Sequence, residues 1–275
     1  MTRHVTHAVE KELVARIAAA SDVFCFLDYD GTLSPLAPTP TEAVALPGTF
    51  ALLRQLAAAP AVQVALVTGR PIADVRRFLD MPEIYYVGTH GLEVRLPSGE
   101  IQMAEGLDSV RSALPEIKHQ LQQVVATRPG ILIEDKGPAL ACHYRLAAPT
   151  DAAAARKFIA AAAHDYQRRG VPITLVYGHE VAELRPSHCN KGTAVRALLA
   201  AHGRASLPVY IGDDQTDEDA FEMLPADSIT IRVGPSRVPT RAHYRLREPR
   251  QVQHFLRQIL AARPADLPPP TAPTH

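Results

Sequence analysis

Four clusters of charged and hydroxyl-bearing residues are the part of this sequence that could carry out chemistry. They are Asp28 with Asp30, Thr68 with Arg70, Lys191, and Asp213 with Asp214 and Asp217. Carboxylates that meet in one place repel one another, and their pKa values rise unless a cation joins them. Oxygen ligands in an open site favour Mg²⁺, which keeps some waters and recruits substrate phosphate. We therefore expect a magnesium site with Asp28, Asp213 and a backbone carbonyl near Asp30 as plausible ligands.

The same clusters supply what phosphoryl transfer requires. Lys191, the Thr68 hydroxyl and N–H groups of the loops can hold phosphate oxygens. Asp28 can act as a nucleophile and split the displacement into two easier steps. Asp30 can protonate the leaving oxygen and then activate water. Gly31 allows the tight turn that would let Asp30 face back toward Asp28.

Short apolar runs precede most of these clusters and predict the strands that position them. Val23 to Leu27 ends at Asp28, Val62 to Val67 ends at Thr68, Ile84 to Val87 leads to His90, and Pro208 to Ile211 leads to Asp213. Helical patterns alternate with these runs, which predicts an α/β fold with a doubly wound, mainly parallel, Rossmann-like core sheet. Ligands of such sheets bind beyond the carboxyl ends of the strands. His90 is therefore expected in the same cleft.

The middle third of the chain has a different pattern of helix, hairpin, helix, hairpin. We expect an inserted α+β cap domain over residues 105–185, with the core domain over 1–104 and 186–262. Hinges are expected near Glu105 and Pro186, so that the cap closes as a lid and excludes water. The segment 263–275 contains five prolines and is expected to be a disordered tail.

Composition excludes several other classes of protein. Lys plus Arg and Asp plus Glu both total 29, which gives no electrostatic footprint for nucleic acid or an acidic membrane surface. The three cysteines have no paired spacing, which argues against a zinc site or a disulfide framework. No apolar stretch is long enough to span a membrane. A cytoplasmic location is expected.

The motifs resemble a known superfamily. Asp28-Tyr29-Asp30-Gly31-Thr32, Thr68-Gly69-Arg70, Lys191 and Gly212-Asp213-Asp214-Gln215-Thr216-Asp217-Glu218 are similar to the four motifs of haloacid dehalogenase-type phosphatases. Gly88-Thr89-His90-Gly91, Glu134-Asp135-Lys136-Gly137, His143-Tyr144-Arg145 and Glu183-Leu184-Arg185-Pro186 look like those of trehalose-6-phosphate phosphatases. The similarity covers about residues 22 to 245.

This resemblance implies a role for each matched residue. Asp28 would be the nucleophile and Asp30 the acid/base, with Asp28, the Asp30 carbonyl and Asp213 holding Mg²⁺. Asp214 or Asp217 would support Lys191 and the waters of the metal. The substrate-binding residues would be Arg70, His90, Glu134, Lys136, His143 and Glu183. The family often has Lys where this chain has His179 after Gly178, which puts a sugar contact there in doubt.

The sequence also leaves open a purely structural interpretation of several single residues. His90 could be a turn residue, Glu134 and Lys136 an exposed ion pair, and His143 with Arg145 could order a cap strand. Arg70 could serve the domain interface or the mouth of the phosphate site, and the role of Arg185 is open.

Two rival functions also stay open. One is a phosphatase of another sugar phosphate, such as sucrose 6-phosphate or a mannosyl phosphoglycerate, which a substrate panel would separate. The other is a non-catalytic sugar-phosphate-binding module, against which the presence of both Asp28 and Asp30 speaks. For an enzyme at the last step of trehalose synthesis, a separate trehalose-6-phosphate synthase is open as a functional partner.

Overall fold

A computed structural model describes residues 2–37, 42–178 and 180–263. The first stretch of the chain contains β1 (Arg3–His4), α1 (His7–Ala19), β2 (Val23–Asp28), α2 (Thr49–Ala58), β3 (Val62–Val67), α3 (Ile72–Arg76), β4 (Tyr85–Gly88), β5 (Glu93–Arg95) and β6 (Ile101–Met103). The middle stretch contains α4 (Asp108–Val125), β7 (Leu132–Asp135), β8 (Leu140–His143), α5 (Pro149–Arg168), β9 (Ile173–Gly178) and β10 (Val181–Pro186). The last stretch contains α6 (Lys191–His202), β11 (Leu207–Gly212), α7 (Glu218–Met223), β12 (Ile229–Val233), β13 (Tyr244–Leu246) and α8 (Pro249–Ala262).

The chain folds into two compact units. The first unit comprises the described residues up to Gln102 and those from Asn190 onward, and the second comprises Met103–Cys189. The second unit is therefore an insertion in the sequence of the first. Its function as a cap stays a prediction.

The sheet of the first unit is parallel over most of its width. Its strand order is β1-β13-β12-β11-β2-β3-β4-β5-β6, and every pairing from β1 across to β4 is parallel. Only at the far side does β5 pair with β4 in the antiparallel sense. The carboxyl ends of β11, β2, β3 and β4 consequently meet at one edge.

Both faces of this sheet are covered, which explains why β2 is wholly apolar until its last residue. Val23, Cys25 and Leu27 pack into one core cluster with residues of α1, α2 and α8. Phe24 and Phe26 point the other way and pack with residues of α6 and α7. Because successive side chains of a strand alternate between faces, a strand buried on both sides must be apolar throughout. The predicted α/β fold with a mainly parallel core sheet is confirmed.

The second unit has an antiparallel sheet with helices on one face. Its strand order is β7-β8-β10-β9, and all three pairings are antiparallel. Leu140, Cys142 and Leu184 pack against residues of α4 and α5 in one cluster. Alternation places Ala141, His143 and Glu183 on the opposite face of the same sheet.

The strands β1 and β13 were not predicted, because two- and three-residue strands have no apolar run long enough to detect. The predicted tail, residues 263–275, lies outside the described residues apart from Arg263, which is buried and donates a hydrogen bond to the Ile17 carbonyl at 2.7 Å. His179 also lies outside the described residues. Within the described part of the chain, no helix combines the length and the apolar composition that a membrane span requires.

Candidate active site

The residues of the first unit that were predicted to act in catalysis or binding lie at the carboxyl edge of its parallel sheet. Asp28 is the last residue of β2, Thr68 follows β3, and Asp213 follows β11. His90 lies in a short 3₁₀ turn after β4. Lys191 is the first residue of α6, where Asn190 caps the helix by accepting a hydrogen bond from the Thr193 N–H. Neighbouring parallel strands thus bring together residues that lie far apart in the sequence.

Lys191 is the centre of a buried polar network. Its Nζ donates to Asp28 Oδ1 at 2.7 Å and to Asp217 Oδ1 at 2.8 Å. The Tyr210 hydroxyl also donates to Asp217 Oδ1, at 2.7 Å, and the Asp214 N–H donates to Asp217 Oδ2 at 2.9 Å. Lys191, Asp217 and Tyr210 are all buried. Both oxygens of Asp217 are engaged, so this carboxylate is held in one orientation and in turn orients the lysine.

Of the two aspartates predicted to support Lys191, the structure places Asp217 in contact with it. The Asp214 carboxylate accepts a hydrogen bond from Thr216 Oγ1 at 3.5 Å instead. The Asp214 carbonyl accepts from Arg232 at 3.1 Å, and Arg232 also forms a buried ion pair with Glu218 at 2.7 Å. These contacts fix the loop that carries Asp213 and Asp217.

Two glycines allow the loops of the site to approach each other closely. A Cβ at Gly31 would lie 2.1 Å from Asp213 Oδ2, and Gly31 has a φ of +79°. A Cβ at Gly212 would lie 2.3 Å from the Asp217 Cγ. Any side chain at either position would therefore displace one of the acidic groups.

The negative charges of the clustered carboxylates exceed the positive charge of Lys191. Burial raises the pKa of Asp28 well above its usual range, and the charges of Asp217 and Asp213 raise it further while Lys191 lowers it. Burial and the Asp217 charge raise the pKa of Asp213 to about 7. Burial alone would lower the pKa of Lys191, but the charges of Asp217 and Asp28 raise it above its usual value. The lysine is therefore a fixed cation in the network.

The donor set fits a divalent cation. One carboxylate oxygen from each of Asp28, Asp213 and Asp217 lies within 4.8 Å of the others. Three carboxylates and one ammonium leave two negative charges uncompensated, and oxygen-only ligands are those that Mg²⁺ prefers. Since Asp217 is already held by Lys191, Tyr210 and a backbone N–H, Asp28 and Asp213 are the better-suited ligands. The predicted ligand role of the Asp30 carbonyl stays a prediction.

The Asp30 carboxylate is held by Arg70. Arg70 Nε donates to Asp30 Oδ2 at 2.7 Å, and Arg70 Nη2 donates to Asp30 Oδ1 at 2.5 Å. Burial would lower the pKa of Arg70, but its hydrogen bonds to Asp30 and the Asp30 charge raise it. The Asp30 side chain remains 37% exposed, whereas that of Arg70 is 13% exposed. Asp30 therefore faces solvent on the side away from the guanidinium.

The loops after β3 and β4 are tied together. The Thr89 N–H donates to the Arg70 carbonyl at 2.9 Å, and the His90 N–H donates to the Thr68 carbonyl at 3.0 Å. A Cβ at Gly69 would lie 2.4 Å from the His90 ring, so the imidazole packs directly on that glycine. Thr89 and His90 both have positive φ values, 46° and 55°. Backbone in this region is strained for residues other than glycine, and such strain clusters at functional sites.

The predicted residues of the second unit form one ion pair and one hydrogen-bonded histidine–carboxylate pair. Lys136 Nζ lies 2.7 Å from Glu183 Oε2, with side chains only 11% and 10% exposed. His143 Nε2 lies 2.8 Å from Glu134 Oε2, and the bond to His143 lowers the pKa of Glu134. Glu134 and Glu183 both pair with Ala141, one on each side of it. These polar groups therefore share the face of the sheet opposite α4 and α5.

Sequence reasoning missed Tyr210 and Arg232. Tyr210 lies inside the apolar run of β11, where a tyrosine is expected as ordinary core. The signal that could have identified it is the phenol itself, since a buried Tyr hydroxyl usually finds a hydrogen-bond partner. Arg232 lies in an apolar strand in the same way, and an arginine is almost never fully buried without a partner.

Comparison with known proteins gives one consistent result. The trehalose-phosphatase family matches residues 26–250 of this chain. Trehalose-phosphate phosphatase B of Arabidopsis thaliana is 32% identical over 262 residues, which cover 90% of this chain and 68% of that protein. The trehalose-phosphate phosphatase of Mycobacterium marinum is 35% identical over 84% of this chain and 59% of its own length. The solved C-terminal domain of the trehalose-6-phosphate phosphatase of C. albicans has a TM-score of 0.81 at 25% identity, covering 95% of this chain and 99% of that one.

Proposed function

This chain belongs to the trehalose-phosphatase family, and from that premise we propose that it hydrolyses trehalose 6-phosphate to trehalose and inorganic phosphate. The reaction is Mg²⁺-dependent and passes through a phosphorylated Asp28. The observation that carries this proposal is the contact of Lys191 with Asp28 and Asp217, beside Asp213 and at the carboxyl edge of the sheet. A nucleophile, a fixed cation and an oxygen-rich metal site are thereby within reach of one phosphate.

In the first step Asp28 displaces the sugar. One carboxylate oxygen of Asp28 attacks phosphorus, while Lys191 donates a hydrogen bond to the same side chain. The bond between phosphorus and the sugar oxygen breaks, and its electron pair goes to that oxygen. Asp30 gives its proton to the same oxygen, which leaves as the hydroxyl of trehalose. The products of this step are the sugar and an acyl phosphate on Asp28.

In the second step water releases the phosphate. Asp30, now a carboxylate, takes a proton from water as the water oxygen attacks phosphorus. The bond between phosphorus and Asp28 breaks, and inorganic phosphate leaves with Asp28 restored. Lys191 stays bound to the nucleophile throughout and offsets negative charge that develops on the phosphate.

Asp28, Asp213 and the backbone near Asp30 would hold the metal. Bound there, Mg²⁺ would offset the charge shared by the carboxylates and the phosphate, and would align the phosphate for in-line attack. The second unit would act as the cap, with Lys136, Glu183, Glu134 and His143 selecting the sugar. A link to a separate synthase and a cytoplasmic location stay predictions.

The test is phosphate release by the purified chain from trehalose 6-phosphate, sucrose 6-phosphate and glucose 6-phosphate, with and without Mg²⁺. Wild type should prefer trehalose 6-phosphate and require the metal. Asp28→Asn should abolish turnover, because it removes the attacking carboxylate while keeping the size of the side chain. Acid-quenched wild type should carry one phosphoryl group on Asp28.

The matched control is Asp80→Asn. Asp80 is an exposed aspartate that pairs with Arg76, so its loss should leave turnover unchanged. A folded Asp28→Asn protein with near-normal turnover would rule out the covalent mechanism.

A further inference from the structure

The ion pair between Arg70 and Asp30 is bidentate and partly buried. Two donors of one planar guanidinium bind the two oxygens of one carboxylate, at 2.7 and 2.5 Å. Fork-to-fork pairs of this kind fix the direction of a carboxylate as well as adding to its binding energy. The pair thus limits the rotation of the Asp30 side chain.

Arg70 is itself held on three sides. Its guanidinium carbon lies 5.3 Å from the centre of the Tyr29 ring and 5.7 Å from that of Phe78. Tyr29 is buried, and its hydroxyl donates to the Ala43 carbonyl at 3.0 Å. The Arg70 backbone is fixed as well, because its N–H donates to Thr68 Oγ1 at 3.2 Å. The arginine therefore has little freedom to turn toward another anion without breaking these contacts.

We infer that Arg70 is a positioning residue that aims the Asp30 carboxylate at the leaving oxygen and at the attacking water. The inference rests on the proposed function, and it replaces the substrate-binding role predicted for Arg70 from the sequence. Each oxygen of an ionised carboxylate has a second acceptor site beyond the one that Arg70 occupies. Because Asp30 is also 37% exposed, a proton can pass to or from its open side while the pair stays intact.

A comparison of two leaving groups separates this role from phosphate binding. Trehalose leaves as an alkoxide that needs a proton, whereas p-nitrophenolate departs as an anion at neutral pH. A residue that binds phosphate affects both substrates equally, because both carry the same phosphate. A residue that aims the general acid affects the sugar phosphate more. The measured quantity is kcat/KM, which reports the steps up to the first irreversible one.

The test variant is Arg70→Met, which keeps the length of the side chain and removes the fork. We expect kcat/KM for trehalose 6-phosphate to fall about tenfold to a hundredfold, the scale of a misaligned acid/base group. The fall for p-nitrophenyl phosphate should be several times smaller. With p-nitrophenyl phosphate the variant should also release a burst of p-nitrophenolate equal to the enzyme concentration, because Asp30 activates water poorly in the second step. Equal losses on the two substrates, or a raised KM with unchanged kcat, would overturn the inference.

Three further variants keep the test informative. Arg76→Met is the matched control, since Arg76 binds Asp80 with the same fork at 2.8 and 3.2 Å but is exposed. Arg70→Lys keeps the positive charge but has a single donor group. Its kcat/KM for trehalose 6-phosphate should lie between those of Arg70→Met and wild type. Phe78→Leu keeps Arg70 and removes one ring above it, so it should lower the rate on the sugar phosphate about two- to fivefold.

Phe78→Leu keeps the inference testable if Arg70→Met does not fold. A Phe78→Leu protein whose ratio of kcat/KM between the two substrates equals that of wild type would also contradict the inference. Wild-type turnover and its loss in Asp28→Asn establish the proposed function independently. A failure at Arg70 therefore leaves that function standing.

Discussion

At the scale of single residues, the crowding of carboxylates around Lys191 decides how the site responds to protons and metal. Burial raises the pKa of Asp213 to about 7 and that of Asp28 well above its usual range. A carboxyl group in the unfolded chain has a pKa of about 4. The folded, metal-free protein therefore binds protons more tightly than the unfolded chain between about pH 4 and the raised pKa values.

This difference predicts opposite effects of pH with and without metal. A folded state that binds more protons loses stability as pH rises, so the metal-free protein should become less stable from about pH 4 through pH 7. Mg²⁺ requires deprotonated ligands, so its stabilising effect should be larger at pH 8 than at pH 5. The measurement is Tm at both pH values, in EDTA and in excess Mg²⁺. Asp213→Asn should flatten the pH dependence of the metal-free protein, and an equal gain from Mg²⁺ at both pH values would contradict the argument.

Most residues at this edge of the sheet could be predicted from the sequence, for a physical reason. Asp28, Thr68 and Asp213 each end or follow an apolar run, and parallel strands place such positions side by side. The hydrogen-bond and ion-pair partners of these residues could not be predicted. The fork of Arg70 on Asp30 depends on rotamers and on the rings of Tyr29 and Phe78, and no spacing rule encodes that. The engagement of Asp217 by Tyr210 depends in the same way on two side chains meeting inside the core.

At the scale of elements, the turn after β2 has to pass close to the loop after β11. Gly31 makes that approach possible, because a Cβ there would lie 2.1 Å from the Asp213 carboxylate. The sequence indicated a tight turn at Gly31, but it showed only one of the two reasons why a glycine is required there. Its φ of +79° is one requirement, and the neighbouring carboxylate is a second, which only the packed loops reveal.

Gly31→Ala should therefore be more damaging than a change of backbone preference alone. A non-glycine residue at positive φ costs roughly 1–3 kcal/mol, and at Gly31 the displacement of Asp213 comes in addition. We expect a lower Tm and a loss of Mg²⁺-dependent turnover. The control is Gly48→Ala, since Gly48 has a similar φ of +81° and no described residue lies within 4 Å of the added Cβ. If the two variants lose stability and activity equally, the contact with Asp213 has no consequence.

At the scale of the whole molecule, the two units carry different kinds of chemistry. The first holds Asp28, Asp30 and the acidic cluster around Lys191 at its sheet edge. The second holds the Lys136–Glu183 ion pair and the His143–Glu134 hydrogen bond on the face of its own sheet opposite α4 and α5. The change of secondary-structure pattern along the chain made an insertion predictable, because helix and hairpin repeats cannot continue a parallel sheet. The partners of the charged groups on the second sheet were not predictable, because Lys136 and Glu183 lie far apart in the sequence.

If the second unit selects the sugar, a change there should affect only substrates that carry the disaccharide. Glu183→Gln keeps the size of the side chain and removes the charge that Lys136 meets at 2.7 Å. Hydrogen bonds to charged groups contribute about 1.5–3 kcal/mol, so kcat/KM for trehalose 6-phosphate should fall about tenfold or more. Hydrolysis of p-nitrophenyl phosphate should stay near the wild-type rate. Glu180→Gln is the control, since Glu180 belongs to the same hairpin but is 47% exposed in its pair with Arg145. A Glu183→Gln protein that loses both activities in proportion would mean that the pair supports the fold of the second unit rather than the choice of sugar.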